Sequence, residues 1–518
     1  MAKDLSFRNS KKQMVVNVIS NLLVFVINAG ISMLLTPFLI SNIGKEAYSF
    51  YPISNTIVHY ITIIATSLNT VGCRYISISI FQKKNEEANR YYSSMIISDF
   101  ILSLVLLIPS FIFVLFINKF LDVPVNIVET VRFLFALVLS SAIITILTSA
   151  FGVATMAKNR MDLRSYRELF ISILRVSLLF AFYKLFSPSL IFIGVAAVAC
   201  SLTMAGIQFA YTRYLTPNLR FSFHNCSSTH IKEICIASIW VTINSLGTLM
   251  LSGTTIVIAN VFYGPSSSGT LSICLTVPNL LTSVISLLVS VFYPILAHSF
   301  VTNSKEEFAS KIQNVQKLIG ALGCAITTVF CVFSIHFFKL WTPKENSGEL
   351  AMYTYILFSQ YLAVSCFWVL TNVFIICNKN KIAAIATIIA GALNIVVQIC
   401  FSFFDAPLFF LPLTSSLLCI LLCSVFMPIY ASKVVDTKCF PFIKPFIICF
   451  LVSLFVGTGG YFISFFSTIN SWLMFILIAI GYGILVLPIY FFLIIGLDNL
   501  KKIVSEIRKN KKGDKIQL

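Results

Sequence analysis

The chain has 518 residues, 58% of them hydrophobic and 11% charged, with a mean hydropathy of +0.93. Soluble globular chains are roughly 45–50% apolar and about 25% charged, so the composition excludes a soluble enzyme, a nucleic-acid binder and a disordered chain. The formal charge of +18 then has to be read by position, because basic residues of membrane proteins collect in cytoplasmic loops.

A bilayer core of ~30 Å takes about 20 apolar residues per helix. On that template the chain predicts fourteen transmembrane helices. The first seven are 14–40, 47–71, 92–117, 131–156, 169–186, 189–211 and 234–262. The second seven are 269–293, 318–338, 351–377, 382–404, 407–430, 445–466 and 471–495. The first run is far longer than the ~7–15-residue core of a signal peptide, so it is read as a span. The runs are continuous rather than alternating, which excludes a β-barrel and predicts an all-α polytopic membrane protein. Pro188 and Asp405–Pro407 break long runs into tight turns. The longest connections, after Tyr211 and after Tyr293, run to about 20 residues by this count, with no room for a soluble domain. No GxxxxGK[ST] phosphate loop is present.

Lys and Arg test the topology. With the N-terminus in the cytoplasm, 30 of the 37 fall inside, six outside (Lys45, Lys119, Arg132, Lys184, Lys339 and Lys344) and one, Arg175, within a span. The alternation holds loop after loop, so both termini are expected in the cytoplasm. The predicted organisation is a cytoplasmic N-terminus (1–13), a six-helix bundle (14–211), a cytoplasmic linker (212–233) and a second six-helix bundle (234–430). Two further helices (431–495) and a basic cytoplasmic tail (496–518) complete it. An internal repeat supports two halves. A Gly-bearing turn, Asn42-Ile43-Gly44-Lys45-Glu46-Ala47-Tyr48, has a counterpart in Asn260-Val261-Phe262-Tyr263-Gly264-Pro265-Ser266, and an Ile-Asn pair stands earlier in each helix (Ile27-Asn28, Ile243-Asn244). Repeats of this kind place a substrate path at their interface.

Ionisable groups in hydrocarbon are costly and face a cavity or one another. Asp99 is the acid well inside a span, Arg175 the deep Arg, and both sit about two turns in from the cytoplasmic end of their runs. An ion pair between them is geometrically open. The pair either tethers helices, or Arg175 meets an anionic substrate while Asp99 tunes it. His59 is a packing residue or a proton switch, since an unperturbed His titrates near pH ~6.5. Arg74 and Arg132, at opposite ends of their helices, are interfacial anchors or cavity-mouth attractors for phosphate. Asn28 and Asn244, with Asn279, Gln360, Asn372, Asn394 and Gln398, suit interhelical hydrogen bonds. Most of the fourteen cysteines stand in apolar runs without a CxxC pair and read as core residues; neither a disulfide nor a metal site is expected.

Several stretches resemble a known family. Leu35-Thr36-Pro37-Phe38-Leu39-Ile40-Ser41-Asn42-Ile43-Gly44-Lys45-Glu46-Ala47-Tyr48 is similar to the opening of the polysaccharide-transporter branch of the multidrug/oligosaccharidyl-lipid/polysaccharide exporter superfamily, the bacterial Wzx-type O-antigen flippases. Leu68-Asn69-Thr70-Val71-Gly72-Cys73-Arg74-Tyr75-Ile76 is similar to that family's second-helix ending, and Gly264-Pro265, Gly269 and Pro294 match later positions. The stretch 251–256 lacks the acid that many relatives carry there. The resemblance implies two six-helix bundles around a central cavity plus two C-terminal helices. It also implies transport of undecaprenyl-pyrophosphate-linked oligosaccharide from the cytoplasmic to the periplasmic leaflet of the bacterial inner membrane, without chemistry on it. Arg175, Asp99, His59, Asn28, Asn244, Arg74 and Arg132 are the substrate-binding candidates. No cofactor is expected, though a proton or sodium gradient would drive the cycle. Expected partners are the lipid-linked substrate, membrane lipids, a polysaccharide polymerase and a chain-length regulator, and no nucleic acid. A cation exporter of the same superfamily would want cavity acids, of which only Asp99 is available; a membrane polymerase or ligase would want a long outer loop, and none is present.

Overall fold

A computed structural model describes residues 10–467 and 469–495. Lys3, Arg8 and the basic tail 496–518 lie outside the described residues. Among these the chain is helical and holds no β-strand. We number the main helices α1 (Ser10–Ile43), α2 (Lys45–Phe81), α3 (Asn85–Leu115), α4 (Val128–Thr148), α5 (Met161–Leu185), α6 (Ile191–Leu215) and α7 (Ser228–Ser252). Then follow α8 (Thr254–Thr302), α9 (Lys305–Trp341), α10 (Ser347–Phe367), α11 (Asn380–Phe403), α12 (Phe410–Leu421), α13 (Phe440–Phe466) and α14 (Trp472–Tyr490).

Twelve stretches of the described residues are long and apolar enough to cross a membrane. One of them, Ser228–Thr302, is 75 residues long and holds two passes. The other helix of spanning length is α5, whose Arg164, Arg167, Glu168, Arg175 and Lys184 lower its apolarity. Together these make the fourteen expected helices. The two passes in Ser228–Thr302 turn at Gly264, with φ 84 and ψ 171. Gly44 turns α1 into α2 with φ 83 and ψ 161. That corner of backbone space is open essentially to glycine alone, so the two halves of the sequence repeat share one rare turn geometry.

One expectation is corrected. The connection after Tyr293 is not a loop: α8 continues through Pro294 to Thr302, and α9 begins at Lys305. The new helix starts at an N-cap: Ser304 Oγ accepts from the Glu307 amide at 3.3 Å.

The helices form two compact units by contact. The first holds Met1–Ile273 with Thr387–Leu408; the second holds Cys274–Ala386 with Phe409–Leu518. In the first, α4 packs on α6, α1 on α5, and α2 on both α3 and α7. Leu68, Cys73, Ile76, Tyr91, Met95 and Val153 close the core where α2, α3 and the end of the fourth pass meet. Small residues set the close crossings. A Cβ on Gly247 of α7 would lie 2.6 Å from Ile388 N of α11, and one on Gly391 would lie 2.6 Å from Gly247 O. Beyond that crossing the seventh pass breaks at Gly253, between α7 and α8. Asn394 Nδ2 of α11 donates to the freed Met250 and Leu251 carbonyls at 3.1 and 3.2 Å, as broken helices in membranes require.

Polar side chains tie the starts of α1 and α5. Asp162 accepts from Gln13 and from Arg160, each at 3.0 Å, and its amide donates to Asn17 Oδ1 at 3.1 Å. Burial works to raise the Asp162 carboxyl, but the Arg160 guanidinium and Gln13 outweigh it and hold the group below the usual carboxylate range. A carboxyl so lowered stabilises the fold above its unfolded value of ~3.9 and stops doing so as pH falls through the folded value. Thermal melting of the full chain in detergent should therefore place Asp162→Asn below the wild type at about pH 6, with the difference vanishing in acid below the carboxylate range. A difference that survives there would remove the ion pair from the account.

In the second unit α9 is the central element, with α10, α13 and α14 packed around it. Tyr490 OH joins Thr328 and Ser453 at 2.8 and 2.6 Å. The buried Cys324, Cys366 and Cys449 meet with their sulfurs within 4.8 Å of one another, against Gly320.

Candidate substrate path

The path is built on α2. Lipid-facing helix surfaces are apolar, as on α3, where Phe100, Ile101, Leu104, Ile108 and Phe111 are exposed. One face of α2 differs. Asn55, His59, Thr62, Thr66, Thr70 and Arg74 recur at intervals of three or four and therefore share one stripe. His59, Thr66, Thr70 and Arg74 are exposed, Asn55 and Thr62 half-buried. Polar side chains carrying solvent-accessible surface in the middle of a span line water rather than hydrocarbon.

Arg175 stands near one end of that stripe. On α5 it shares a face with the buried Ile171 and Leu179, and the exposed Phe170 and Ile173 lie on the other side. Yet Arg175 itself is exposed, so its accessible surface opens toward the interior of the protein. Its guanidinium lies beside the Tyr51 hydroxyl of α2 and the Cys200 thiol of α6. Register brings α1 to the same level. From Asn17 onward, contacting residues of α1 and α5 differ in number by 142 to 145, as in Asn17–Asp162, Asn21–Ser165, Phe38–Phe180 and Phe38–Tyr183. Ser32 therefore stands level with Arg175, and Asn28 about one turn away. Asn28 Oδ1 is buried without a hydrogen-bond partner. On the other flank α7 runs antiparallel to α2, with contacts at Thr56–Gly253, Tyr60–Thr254 and Gly72–Ile234. Those contacts put Asn244 at the height of Thr62–Thr70.

Asp99 does not pair with Arg175, contrary to the arrangement the sequence left open. Its carboxylate accepts from Asn69 at 3.1 Å and from Ser149 at 2.7 Å, and it is fully buried. Asn69 and the Arg175 partner Tyr51 both lie on α2, 18 residues apart, which at ~1.5 Å per residue is ~27 Å. In the sequence, the depth of Asp99 and of Arg175 can be judged only from the start of an apolar run. The helices begin earlier, at Asn85 and Met161, which leaves both residues equally far into their helices; the different heights at which α3 and α5 pack on α2, at Asn69 and at Tyr51, separate them. Arg132 is also apart from the stripe. It pairs with Glu129 at 2.6 Å and lines an open depression of about 660 Å³ with Asn118, Lys119 and Asp122 at the start of α4.

The structure thus gathers Arg175, Asn28, His59, Asn244 and Arg74 along α2 and its neighbours, and adds Tyr51, Ser32, Thr62, Thr66 and Thr70. Sequence reading passed over the threonines because each is unremarked alone; their helical spacing was the available signal. Arg167, counted as a loop charge, is buried on α5, where Gln208, with its amide turned, accepts from it at 3.0 Å.

Comparison with known proteins agrees with this architecture. Residues 14–300 match the family described as "Polysaccharide biosynthesis protein". The chain belongs to the polysaccharide biosynthesis protein family. A curated relative within reach is the "Uncharacterized membrane protein EpsK" of Bacillus subtilis (strain 168), 26% identical over 501 residues, covering 96% of this chain and 98% of that one. Two solved structures share the fold of this family member. One is an inward-facing multidrug resistance MATE family transporter of the MOP superfamily, with TM-score 0.65, 13% identity, and 81% and 99% of the two chains covered. The other is the lipid II flippase MurJ in an inward closed conformation, with TM-score 0.60, 16% identity, and 91% and 99% covered. This polysaccharide biosynthesis protein is therefore a multi-pass membrane protein with the transporter fold expected from its sequence.

Proposed function

We propose that the chain is a flippase that carries an undecaprenyl-pyrophosphate-linked oligosaccharide, the repeat unit of an O-antigen or a similar surface polysaccharide, from the cytoplasmic to the outer leaflet of the bacterial plasma membrane. The observation that carries the reading is Arg175, a fixed positive charge open to the protein interior at one end of a polar stripe. A pyrophosphate headgroup cannot cross hydrocarbon unpaired, since the charge alone costs several kcal/mol or more. A guanidinium can meet it with two parallel hydrogen bonds, while Asn28, Asn244 and the α2 threonines offer hydroxyls and amides to sugars. Arg74 at the far end of the stripe gives the same charge a place to enter. Family membership and the fold shared with a lipid II flippase support this reading; the multidrug alternative lacks an accessible acid on the stripe.

In this reading both termini are cytoplasmic, 14–211 and 234–430 are the two halves that alternate access, and a polymerase and a chain-length regulator receive the product. Deleting the protein should leave lipid-linked repeat units on the cytoplasmic face and strip the cell of surface polysaccharide. Single units that still reach the outer face but stay unpolymerised would instead assign the chain to polymerisation.

A further inference from the structure

The second unit holds a group of side chains that the path does not use. Cys324 of α9, Cys366 of α10 and Cys449 of α13 are far apart in the chain, yet their sulfurs lie within 4.8 Å of one another. Each of the three residues is 0% exposed. A Cβ on Gly320 would lie 2.8 Å from Cys366 Sγ and 3.4 Å from Cys449 Sγ, so the thiols converge in space that a glycine leaves open. Cys324 Sγ also donates to Leu362 O at 3.6 Å. Among the described residues no imidazole, carboxylate or further thiol joins the three within the same distance.

Charge decides what such a group can hold. The stretches 320–335, 350–376 and 445–466 that surround it contain no Asp, Glu, Lys, Arg or His. The cations nearest in sequence, Lys317 and Lys444, come closer to the helix starts and carry accessible surface. A net charge left at the sulfurs would therefore be buried without a partner, which is costly. Thiols bind soft ions as thiolates. Three thiolates around Cu(I) would leave two negative charges; around Zn(II) they would leave one, and zinc takes a fourth ligand. A trivalent centre leaves none. Trivalent arsenic takes three ligands on one side and keeps a lone pair on the other, so it asks for no fourth donor. Its hydroxide, As(OH)3, is neutral and reacts without redox change. Three As–O and three S–H bonds break, three As–S and three O–H bonds form, and three waters leave.

A neutral solute also enters apolar protein at lower cost than an ion. An open groove of about 390 Å³ between α9, α10 and α13 is lined by Thr327, Leu362, Phe450 and Ser453. Leu362, on its wall, is the residue whose carbonyl accepts from Cys324.

We propose that Cys324, Cys366 and Cys449 form a trithiol site for a trivalent thiophilic metalloid, which ties α9, α10 and α13 together when bound. The site is independent of the flippase reading.

The test uses the purified full chain in lipid nanodiscs, reduced with a phosphine so that no added thiol competes, and arsenite as the probe. The wild type should retain one arsenic per chain after desalting. Its arsenic absorption-edge spectrum should show three sulfur neighbours and no oxygen. Its melting temperature should rise on loading, because a ligand held only by the folded protein stabilises it. Cys324→Ser, Cys366→Ser and Cys449→Ser should each lose both the arsenic and the rise. Cys331→Ser, a thiol of α9 outside the group, and Cys423→Ser should behave as the wild type. Uptake unchanged in the three variants places the arsenic on other cysteines and overturns the site. So does a wild type that takes up none, which leaves three packing thiols. If the variants do not accumulate, the wild-type spectrum decides. An oxygen neighbour then overturns the proposal; a shell of three sulfurs supports it, since among the described residues no other group brings three such donors within 4.8 Å.

Discussion

Replacing Arg175 by Ala should abolish surface polysaccharide while leaving the protein at normal abundance in the membrane. The abundance half follows from its neighbours. Arg175 lies beside a hydroxyl and a thiol, not beside a carboxylate, so its removal orphans no buried charge, the change that costs roughly 3–5 kcal/mol elsewhere. The activity half follows from charge. Each hydrogen bond to a charged group contributes about 1.5–3 kcal/mol, so losing a bidentate contact to pyrophosphate should slow translocation by about ten- to a hundredfold or more, at ~1.4 kcal/mol per decade. Arg175→Lys keeps the charge and loses the fork, and should retain partial function. Asp99→Ala should not rescue Arg175→Ala, because the two groups meet α2 about 27 Å apart and distant changes add. Quantitative immunoblotting with surface-glycan staining reads both halves. Loss of abundance in Arg175→Ala, restored with Asp99→Ala, would return Arg175 to a structural tether.

The second large effect is expected at the crossing of α7 and α11. Gly391→Leu should prevent accumulation of folded protein, and Gly247→Leu should do the same. Each new Cβ would stand 2.6 Å from main-chain atoms of the opposite helix, and main chain cannot rotate away as a flexible side chain can. Overpacking typically costs 1–3 kcal/mol. Here the helices must also separate where Asn394 hydrogen-bonds the Met250 and Leu251 carbonyls, adding the loss of one or two bonds at ~1 kcal/mol each. Gly30, whose Cβ would meet nothing within 4 Å, is the control: Gly30→Ala should accumulate normally. Size-exclusion profiles of detergent-solubilised protein separate these outcomes, and a monodisperse Gly391→Leu would show that the crossing tolerates separation.

These sites mark how far the sequence could be read. The bilayer imposes both length and apolarity, so helix number was legible, including α5 with its charges and the paired Gly44 and Gly264 turns. Helix ends were less so. A run of hydropathy stops where water begins, whereas α8 and α9 continue into water until Ser304 caps the next helix. Depth judged from apolar edges brought Asp99 and Arg175 together, and the packing of α3 and α5 against different heights of α2 separates them. Polar residues stood out singly when charged and were lost when they were threonine, although the stripe from Asn55 to Arg74 was present as a period of three and four. Which face of α2 meets Arg175 or Asp99 depends on neighbours far along the chain, and no local pattern carries that.

The central claim is that the polar stripe of α2 and Arg175 carry a lipid-linked, pyrophosphate-bearing glycan across the membrane. The most direct measurement is translocation of a defined undecaprenyl-pyrophosphate oligosaccharide by the purified full chain in proteoliposomes, read by protection of the glycan from an added glycosidase. The expected result is transfer between leaflets with the wild type and at least a tenfold slower transfer with Arg175→Ala. Wild-type vesicles that transfer no more glycan than empty ones, or an Arg175→Ala protein that matches the wild type, would contradict it.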